Sequence, residues 1–448
     1  MFALGSAGYR WLNRPADFET GRVSAEWFLS EATAKNQAAR PAAERATSNS
    51  YGDWGGSRPT ASADFDPIGR ATHEPIGPHQ RIATNIAEGA IILSSTSFNI
   101  GVLGAGQIAQ AAHFPAVRKA KTAQLYAICD AADDLRERMA AVHQPTTTFA
   151  DYDAMLADDN VDAVIVAVAD QFHVPLSIKA LEAGKHVLVE KPMATTIEDA
   201  EALLEAAKTH DRVVLVGHEK RYDPGVAFAQ DFIRDEIGEL IGLKHWYCDS
   251  AYRYSITDTL QPIIESSAAA RRPPGNPKAD RPRYLVLGHG SHMLDMARYL
   301  GGPLEAIRAR LSTKADTYCW FLEVAYANGC LGQLDLTIAV RMDWWEGFQI
   351  YGSEGSVIGK LFNPWHLRAA EVQAFSVKDD QYRQPIGEDA NVFRLQVEDL
   401  VNAAVRGATT RGATAEDGLA SVRAMVALTK SVTTGDWVKL DDVTGGLV

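Results

Sequence analysis

Residues 98–109 read FNIGVLGAGQIA. The apolar run at 100–103 predicts a short buried strand. It leads directly into Gly104-Ala105-Gly106-Gln107-Ile108-Ala109, a GxGxxA turn in the strand–turn–helix setting that dinucleotide binding requires. Each small residue has a physical task. Gly104 permits the tight turn, Gly106 lets a pyrophosphate approach the backbone, and Ala109 lets the helix pack close to the strand. The free N–H groups around Gln107 and Ile108, at the start of the helix, suit an anion. A second strand at 124–129 ends in Asp130, 24 residues after Gly106, near the ~20 expected of an acid that binds ribose hydroxyls. A carboxylate there repels a 2′-phosphate, so NAD is expected and NADP disfavoured. Capping the helix that follows is the plain alternative for Asp130.

Outward from this turn, strand and helix patterns alternate. Residues 161–168 (VDAVIVAV) are almost wholly apolar, as a parallel strand covered on both faces should be. A helix at 174–183 stops at Gly184. The strand 186–189 runs into Glu190-Lys191-Pro192, a helix covers 197–210, and a strand at 212–216 ends in Gly217-His218-Glu219. The expected architecture is a doubly wound parallel sheet over 98–218. Ligands bind at the carboxyl ends of such strands. Asp130, Ala169, His173, Glu190, Lys191 and His218 all fall there.

The first 97 residues differ from the rest. They hold six prolines, nine glycines and nearly balanced charge, with clusters such as SNSYGDWGGSRPT and no sustained apolar period. That composition reads as a low-complexity extension. Three readings stay open: a disordered tail, a start placed too early, or an arm that wraps a neighbouring subunit. The net charge of −13 over 448 residues argues against nucleic acid as a partner. Cys129, Cys248, Cys319 and Cys330 show neither CxxC nor zinc spacing, so no metal is expected. No apolar run approaches the ~20 residues of a membrane span. With no basic leader ahead of an apolar stretch, the expectation is a cytoplasmic protein without a membrane partner.

Together these residues resemble the glucose–fructose oxidoreductase / inositol dehydrogenase (Gfo/Idh/MocA) family. The likeness covers about 98–440. It rests on the glycine turn, on Glu190-Lys191-Pro192 after a strand, and on Gly290-Ser291-His292-Met293-Leu294-Asp295 followed by Arg298-Tyr299-Leu300-Gly301-Gly302. The stretch Glu416-Asp417-Gly418-Leu419 through Ser431, Gly435 and Val438 adds to it. The resemblance implies an N-terminal Rossmann domain (98–218). It also implies a C-terminal α/β domain (219–448) with a large open, mostly antiparallel sheet and a closing helix and strand at about 413–440. Strand patterns at 244–250, 306–311, 318–325, 330–337 and 348–351 agree, with a hairpin turn at Ala327-Asn328-Gly329. A homodimer or homotetramer is implied as well.

By the same resemblance, Lys191 and His292 handle the substrate proton, with Pro192 fixing the turn that aims Lys191. One departure stands out. Many members carry an aspartate four residues before the histidine, where this chain has Gly288; His289 is near enough to substitute. His173 is a candidate for the nicotinamide ribose or a helix cap, and Arg221 for orienting the loop that bears Lys191, for substrate contact, or for a structural ion pair. Tyr252, Arg253 and Tyr254 would suit the wall of a sugar cleft or an ordinary loop. The stretch 271–283 reads as a solvated loop, with a lid as the alternative, and Trp344-Trp345 as core or interface. The expected function is NAD-dependent oxidation of a secondary hydroxyl in a sugar, polyol or related cyclic compound. An NAD-dependent glycosidase and a non-catalytic NAD or sugar sensor are the alternatives.

Overall fold

The structure is a computed structural model, and it describes residues 98–252, 260–271, 273, 276, 278–387 and 390–448. The extension 1–97, Arg253, Tyr254 and part of the 271–283 stretch lie outside the described residues.

The first sheet is built from β1 (Phe98–Leu103), β2 (Ala123–Cys129), β3 (Thr147–Phe149), β4 (Ala163–Val166), β5 (His186–Val189) and β6 (Val214–Val216). These six are parallel, in the order β6-β5-β4-β1-β2-β3. Every residue of β4 is buried, which accounts for its unbroken AVIV. The helix Ile197–His210 shows why its limits were legible. Thr196 accepts from the Asp199 amide, Glu198 and Asp199 face the positive end of the dipole, and Lys208 and His210 face the negative end.

Among the described residues the second sheet has nine strands. β7 (Leu240–Ser250), β8 (Leu304–Lys314), β9 (Thr317–Tyr326), β10 (Leu331–Val340) and β11 (Trp345–Gly352) form its middle. β12 (Gly355–Leu361), β13 (Glu371–Ser376) and β14 (Gln381–Arg383) extend one side, and the short β16 (Val438–Lys439) closes the other. All pairs are antiparallel except β7 with β10. Burial alternates along the strands, so one face is packed and one is wet. A register row on the packed face runs through Trp320, Leu336, Tyr247, Glu346 and Leu361.

The chain does not divide cleanly in space at residue 218. The two-residue strand β15 (Ala413–Thr414) pairs antiparallel with β6, at the edge of the first sheet. Val392, Phe393, Val397 and Leu400, on the helix Val392–Arg406, join the apolar cluster of Ile100 and Val102. Burying that helix's apolar face needs the first domain's surface, so residues 392–414 return to it. The helix Ala415–Thr434 then leads back to the second sheet. It opens with a capping box between Thr414 and Asp417 and ends at Gly435 with φ 79°.

Candidate active site

A cavity of about 1020 Å³ runs from the carboxyl ends of β1, β2, β4 and β5 to the packed face of the second sheet. Its length brings the glycine turn and Asp130 into one space with Lys191, His289 and His292.

At the nucleotide end, Gly104 has φ 94°, and a Cβ there would collide with the Ala167 carbonyl. Gly106 has nothing within 4 Å of an added Cβ, so the backbone is bare toward the cavity. A closed turn beside an open approach, at the start of a helix, fits the pyrophosphate of a dinucleotide. Gln107, Ile108 and Ala169 line the same wall. Asp130 also lines it, and its two oxygens accept from the amides of Ala105 and Ala132. Its carboxylate thereby ties the glycine turn to Ala132, the residue that opens the helix Asp133–His143, and that helix has no side-chain cap, so Asp130 braces the turn and does not cap the helix.

Farther along, the Lys191–Pro192 bond is cis. Glu190 Oε1 lies 2.8 Å from His113 Nε2, and both are buried. Burial alone would raise the Glu190 carboxyl. The hydrogen bond and charge of His113, with Lys191 and His173, outweigh it and hold Glu190 below its ordinary value. His173 faces two carbonyls, Pro192 O at 2.8 Å and Val168 O at 3.0 Å. Its ring braces the loop that carries Lys191 while lining the cavity.

Lys191 Nζ donates to the carbonyl of Gly288 at 3.0 Å. Gly288 and His289 sit in a π-helical turn, Val286–Gly290, that runs straight into the helix Ser291–Gly301. Such turns recur at functional sites. His289, His292 and Asp295 are spaced by three and share one helix face. His289 Nδ1 lies 3.2 Å from Tyr247 Oη and 3.5 Å from Asp249 Oδ2. His292 Nδ1 lies 3.7 Å from Glu219 Oε2. Burial, then the Lys191 and Lys220 charges, hold the His292 ring well below the usual histidine range. Burial also pushes the Glu219 carboxyl up to about 7, against the pull of Lys220 and Lys191. The neutral imidazole keeps a ring lone pair free to accept a proton, while burial and the two ammonium groups weaken it as a base.

The floor of this end comes from the second sheet. His245, Tyr247 and Asp249 alternate inward along β7, and Glu346 is Tyr247's register partner on β11. Lys220 Nζ reaches Glu346 Oε2 at 2.5 Å and lies 4.1 Å from the Tyr247 ring centroid and 5.1 Å from that of Trp344. Glu219, Lys220, Tyr247 and Trp344 therefore belong to the cavity wall, although sequence reading had passed over the first three. Residues 217–224 read GHEKRYDP, but only the 3₁₀ turn Glu219–Tyr222 decides which of those side chains enter the cavity. Trp344, read as core or interface, is buried and lines the cavity, whereas Trp345 is exposed beneath Lys360.

Two expected substrate contacts lie elsewhere. Arg221, the first, is not in the cavity wall. Its guanidinium grips Asp295 at 2.9 and 2.6 Å, Asp417 at 2.9 Å, and lies over the Tyr299 ring. Buried Asp295 and partly buried Asp417 take up its N–H groups, so the structural ion pair is what the fold uses. Tyr252, the second, is 53% exposed and lines no part of the cavity. The chain turns at residues 251–252 after β7, and this carries the ring out to solvent. Among the described residues no cluster of histidine, cysteine or acids could hold a metal ion, and no helix is long and apolar enough to cross a membrane.

This architecture has relatives. Residues 98–218 match the family model described as an oxidoreductase family with an NAD-binding Rossmann fold, and 282–440 match the same family's C-terminal alpha/beta domain. The chain is 29% identical over 354 residues to inositol 2-dehydrogenase 2 of Saccharopolyspora erythraea, covering 76% of this chain and 94% of that protein. It is 26% identical over 275 residues to levoglucosan dehydrogenase of Pseudarthrobacter phenanthrenivorans, covering 52% of this chain and 63% of that protein. Among solved structures, levoglucosan dehydrogenase in complex with NADH superposes with a TM-score of 0.63 at 22% identity. That match covers 78% of this chain and all of the other.

Proposed function

Because the chain belongs to the Gfo/Idh/MocA oxidoreductase family, we propose that it is an NAD-dependent dehydrogenase of a secondary hydroxyl in a sugar, polyol or related cyclic compound. The observation that carries this reading is the meeting, in one cavity, of the glycine turn and Asp130 with Lys191 and His292. The dinucleotide, when bound, supplies the hydride acceptor. Gly104, Gly106, Gln107 and Ile108 would hold its pyrophosphate, and Asp130 its ribose hydroxyls, which favours NAD over NADP.

The chain's own groups then orient the substrate and take its proton. Lys191, fixed by the Gly288 carbonyl, points a cationic donor at the hydroxyl oxygen. His292, held neutral, accepts the proton that leaves that oxygen. Tyr247 and Trp344 offer aromatic faces to a hydroxylated ring. Relatives named as inositol and levoglucosan dehydrogenases support this substrate class. The wet face of the second sheet exposes Phe321, Tyr351 and Ile358, which supports a homodimer or homotetramer.

NADH formation at mildly alkaline pH across inositols, aldoses, anhydrosugars and sugar acids tests the reading, with NAD and NADP run in parallel. A signal with NAD that Lys191→Ala abolishes is expected. A signal that survives Lys191→Ala, or silence across the panel with NAD binding confirmed, would overturn it.

A further inference from the structure

We infer that Glu219 is the positioning residue of His292: its carboxylate sets the imidazole's tautomer and receives the proton that the ring takes from substrate. The inference rests on the dehydrogenase reading above, and it adds a group from an element that the sequence motifs did not mark.

The geometry singles out Glu219. It comes from the 3₁₀ turn after β6, at the seam between the two sheets, and His292 comes from the helix Ser291–Gly301. Both side chains line the cavity that also receives Lys191. Glu219 is 5% exposed. Among the described residues, His292 Nδ1 is the one ionisable nitrogen within 4 Å of its carboxylate. The neighbouring acids have other duties. Glu190 is bonded to His113, Glu346 to Lys220, and Asp295 to Arg221. Among the described residues Glu219 closes no ion pair with lysine or arginine and makes no side-chain cap. The His292 ring is further fixed by His218, edge-on at 6.2 Å between centroids, and by Tyr247, stacked at 6.3 Å. A buried carboxylate turned toward a cavity-lining imidazole is costly to keep unless the ring uses it.

The proton path follows from the tautomer. With Nδ1–H directed at Glu219, Nε2 carries the lone pair that accepts the hydroxyl proton. As that O–H bond breaks, the carbinol C–H bond releases its hydrogen and electron pair as hydride to an oxidised nicotinamide dinucleotide, and the carbon becomes a carbonyl. The Nδ1 proton passes to Glu219, which returns the ring to neutrality and leaves one proton on the carboxyl for solvent. A separation of 3.7 Å needs to close by under an ångström for this transfer, a tightening that catalytic hydrogen bonds commonly undergo when substrate binds.

The ionisation setting agrees. Glu219 titrates near pH 7, with burial the main cause. Lys220 beside it and Lys191 on the β5 loop pull it down, and Glu190 pushes it up. On the other side, His292 feels Lys191, Lys220, His218 and His289. An ionised Glu219 is the proton-accepting form, so turnover should rise with pH through about 7.

The test is Glu219→Gln in the full chain, with two readouts. The first is the pH profile with the best substrate of the panel. The expected result is a kcat lower by at least about tenfold, a KM within about threefold, and loss of the ascending limb near pH 7. The second needs no substrate. In protein labelled with ¹³C at histidine Cε1, the His292 resonance, assigned by its loss in His292→Asn, should show an inflection near pH 7 that Glu219→Gln removes. A kcat within twofold with the limb intact, or a His292 resonance without that inflection, overturns the inference. A wild type silent on the panel overturns the dehydrogenase reading alone, and the resonance then decides the pairing. Should Glu219→Gln fail to accumulate, Glu219→Asp, which retracts the carboxylate by one methylene, should lower kcat yet keep the limb. An unchanged kcat in Glu219→Asp would count against the role.

Discussion

The ammonium of Lys191 donates to the main-chain carbonyl of Gly288 at 3.0 Å, across the seam between the nucleotide-binding sheet and the second domain. This bond places a cation where β5 ends and against the middle of the π-helical turn that precedes His292. If the cation serves the reacting hydroxyl and not the fold, Lys191→Ala should leave the pyrophosphate cradle intact. The expected outcome is a fall in kcat of roughly 10²–10⁴-fold, with NAD affinity changed by no more than about threefold. Steady-state NADH formation and quenching of intrinsic fluorescence by NAD check the two halves separately.

The same geometry makes Gly288 a place where a side chain can be added. Nothing lies within 4 Å of a Cβ built there, and its φ is not positive. Gly288→Asp should therefore fold with a thermal midpoint close to wild type. Its carboxylate would stand beside the Lys191 ammonium, on the helix face toward His292. In a Glu219→Gln background it should restore part of the lost kcat, because it returns an anion to the His292 surroundings from another element. Comparing kcat for the single and double variants on one substrate checks this, and no recovery would mean that the position of the carboxylate matters as much as its charge.

How far the sequence disclosed this site follows from the range of the interactions involved. The turn at Gly104, the cap at Thr196 and the apolar run of β4 are fixed by neighbours a few residues away, so their patterns could be read directly. Lys191 and His292 were legible through motifs. The pairing of Tyr247 with Glu346 was not, because it exists only through the register of β7 on β11, about a hundred residues apart. β12 to β14 also escaped. β12 carries glycines at 355 and 359, where the rings of Phe232 and Phe348 occupy the space a side chain would need. The sequence shows the glycines without the rings that require them. Glu219 was in plain sight inside GHEKRYDP, yet its direction depends on a single 3₁₀ turn.

Arg221 illustrates the converse, a residue whose chemistry suits a ligand but whose partners are all internal. Its bonds to Asp295 and Asp417 join the crossover after β6 to two helices of the second domain. Burial opposes ionisation of Asp295, and the charge and hydrogen bond of Arg221, with His218 and Arg298, together outweigh it. Removing the guanidinium leaves a buried carboxylate without its counter-charge, a loss of roughly 3–5 kcal/mol. Arg221→Ala should thus lower the thermal midpoint sharply, and the folded fraction should keep a near-normal KM. A large rise in KM with little loss of stability would restore the substrate-contact role instead.

Glu219 should have the opposite signature, with removal stabilising the fold while harming turnover. Its carboxyl titrates near 7 in the folded chain against an ordinary value of 4.5, chiefly because burial penalises the ionised form. A folded value above the unfolded one means that the protonated carboxyl favours folding. That contribution is fully present below about pH 4.5 and is lost as pH rises through about 7. A shift of this size corresponds to about 3 kcal/mol as an upper figure. Glu219→Gln keeps the shape and removes the titration. Its stability relative to wild type should therefore be close to zero near pH 4.5 and grow to between about 1 and 3 kcal/mol by pH 8. Urea unfolding of both proteins at the two pH values measures the difference. A difference that shrinks with rising pH would show that a cation holds the Glu219 carboxylate ionised in the folded chain. The predicted trend, a variant both more stable and slower at pH 8, is what a carboxylate kept for proton transfer should produce, since a purely structural one would lose stability when replaced.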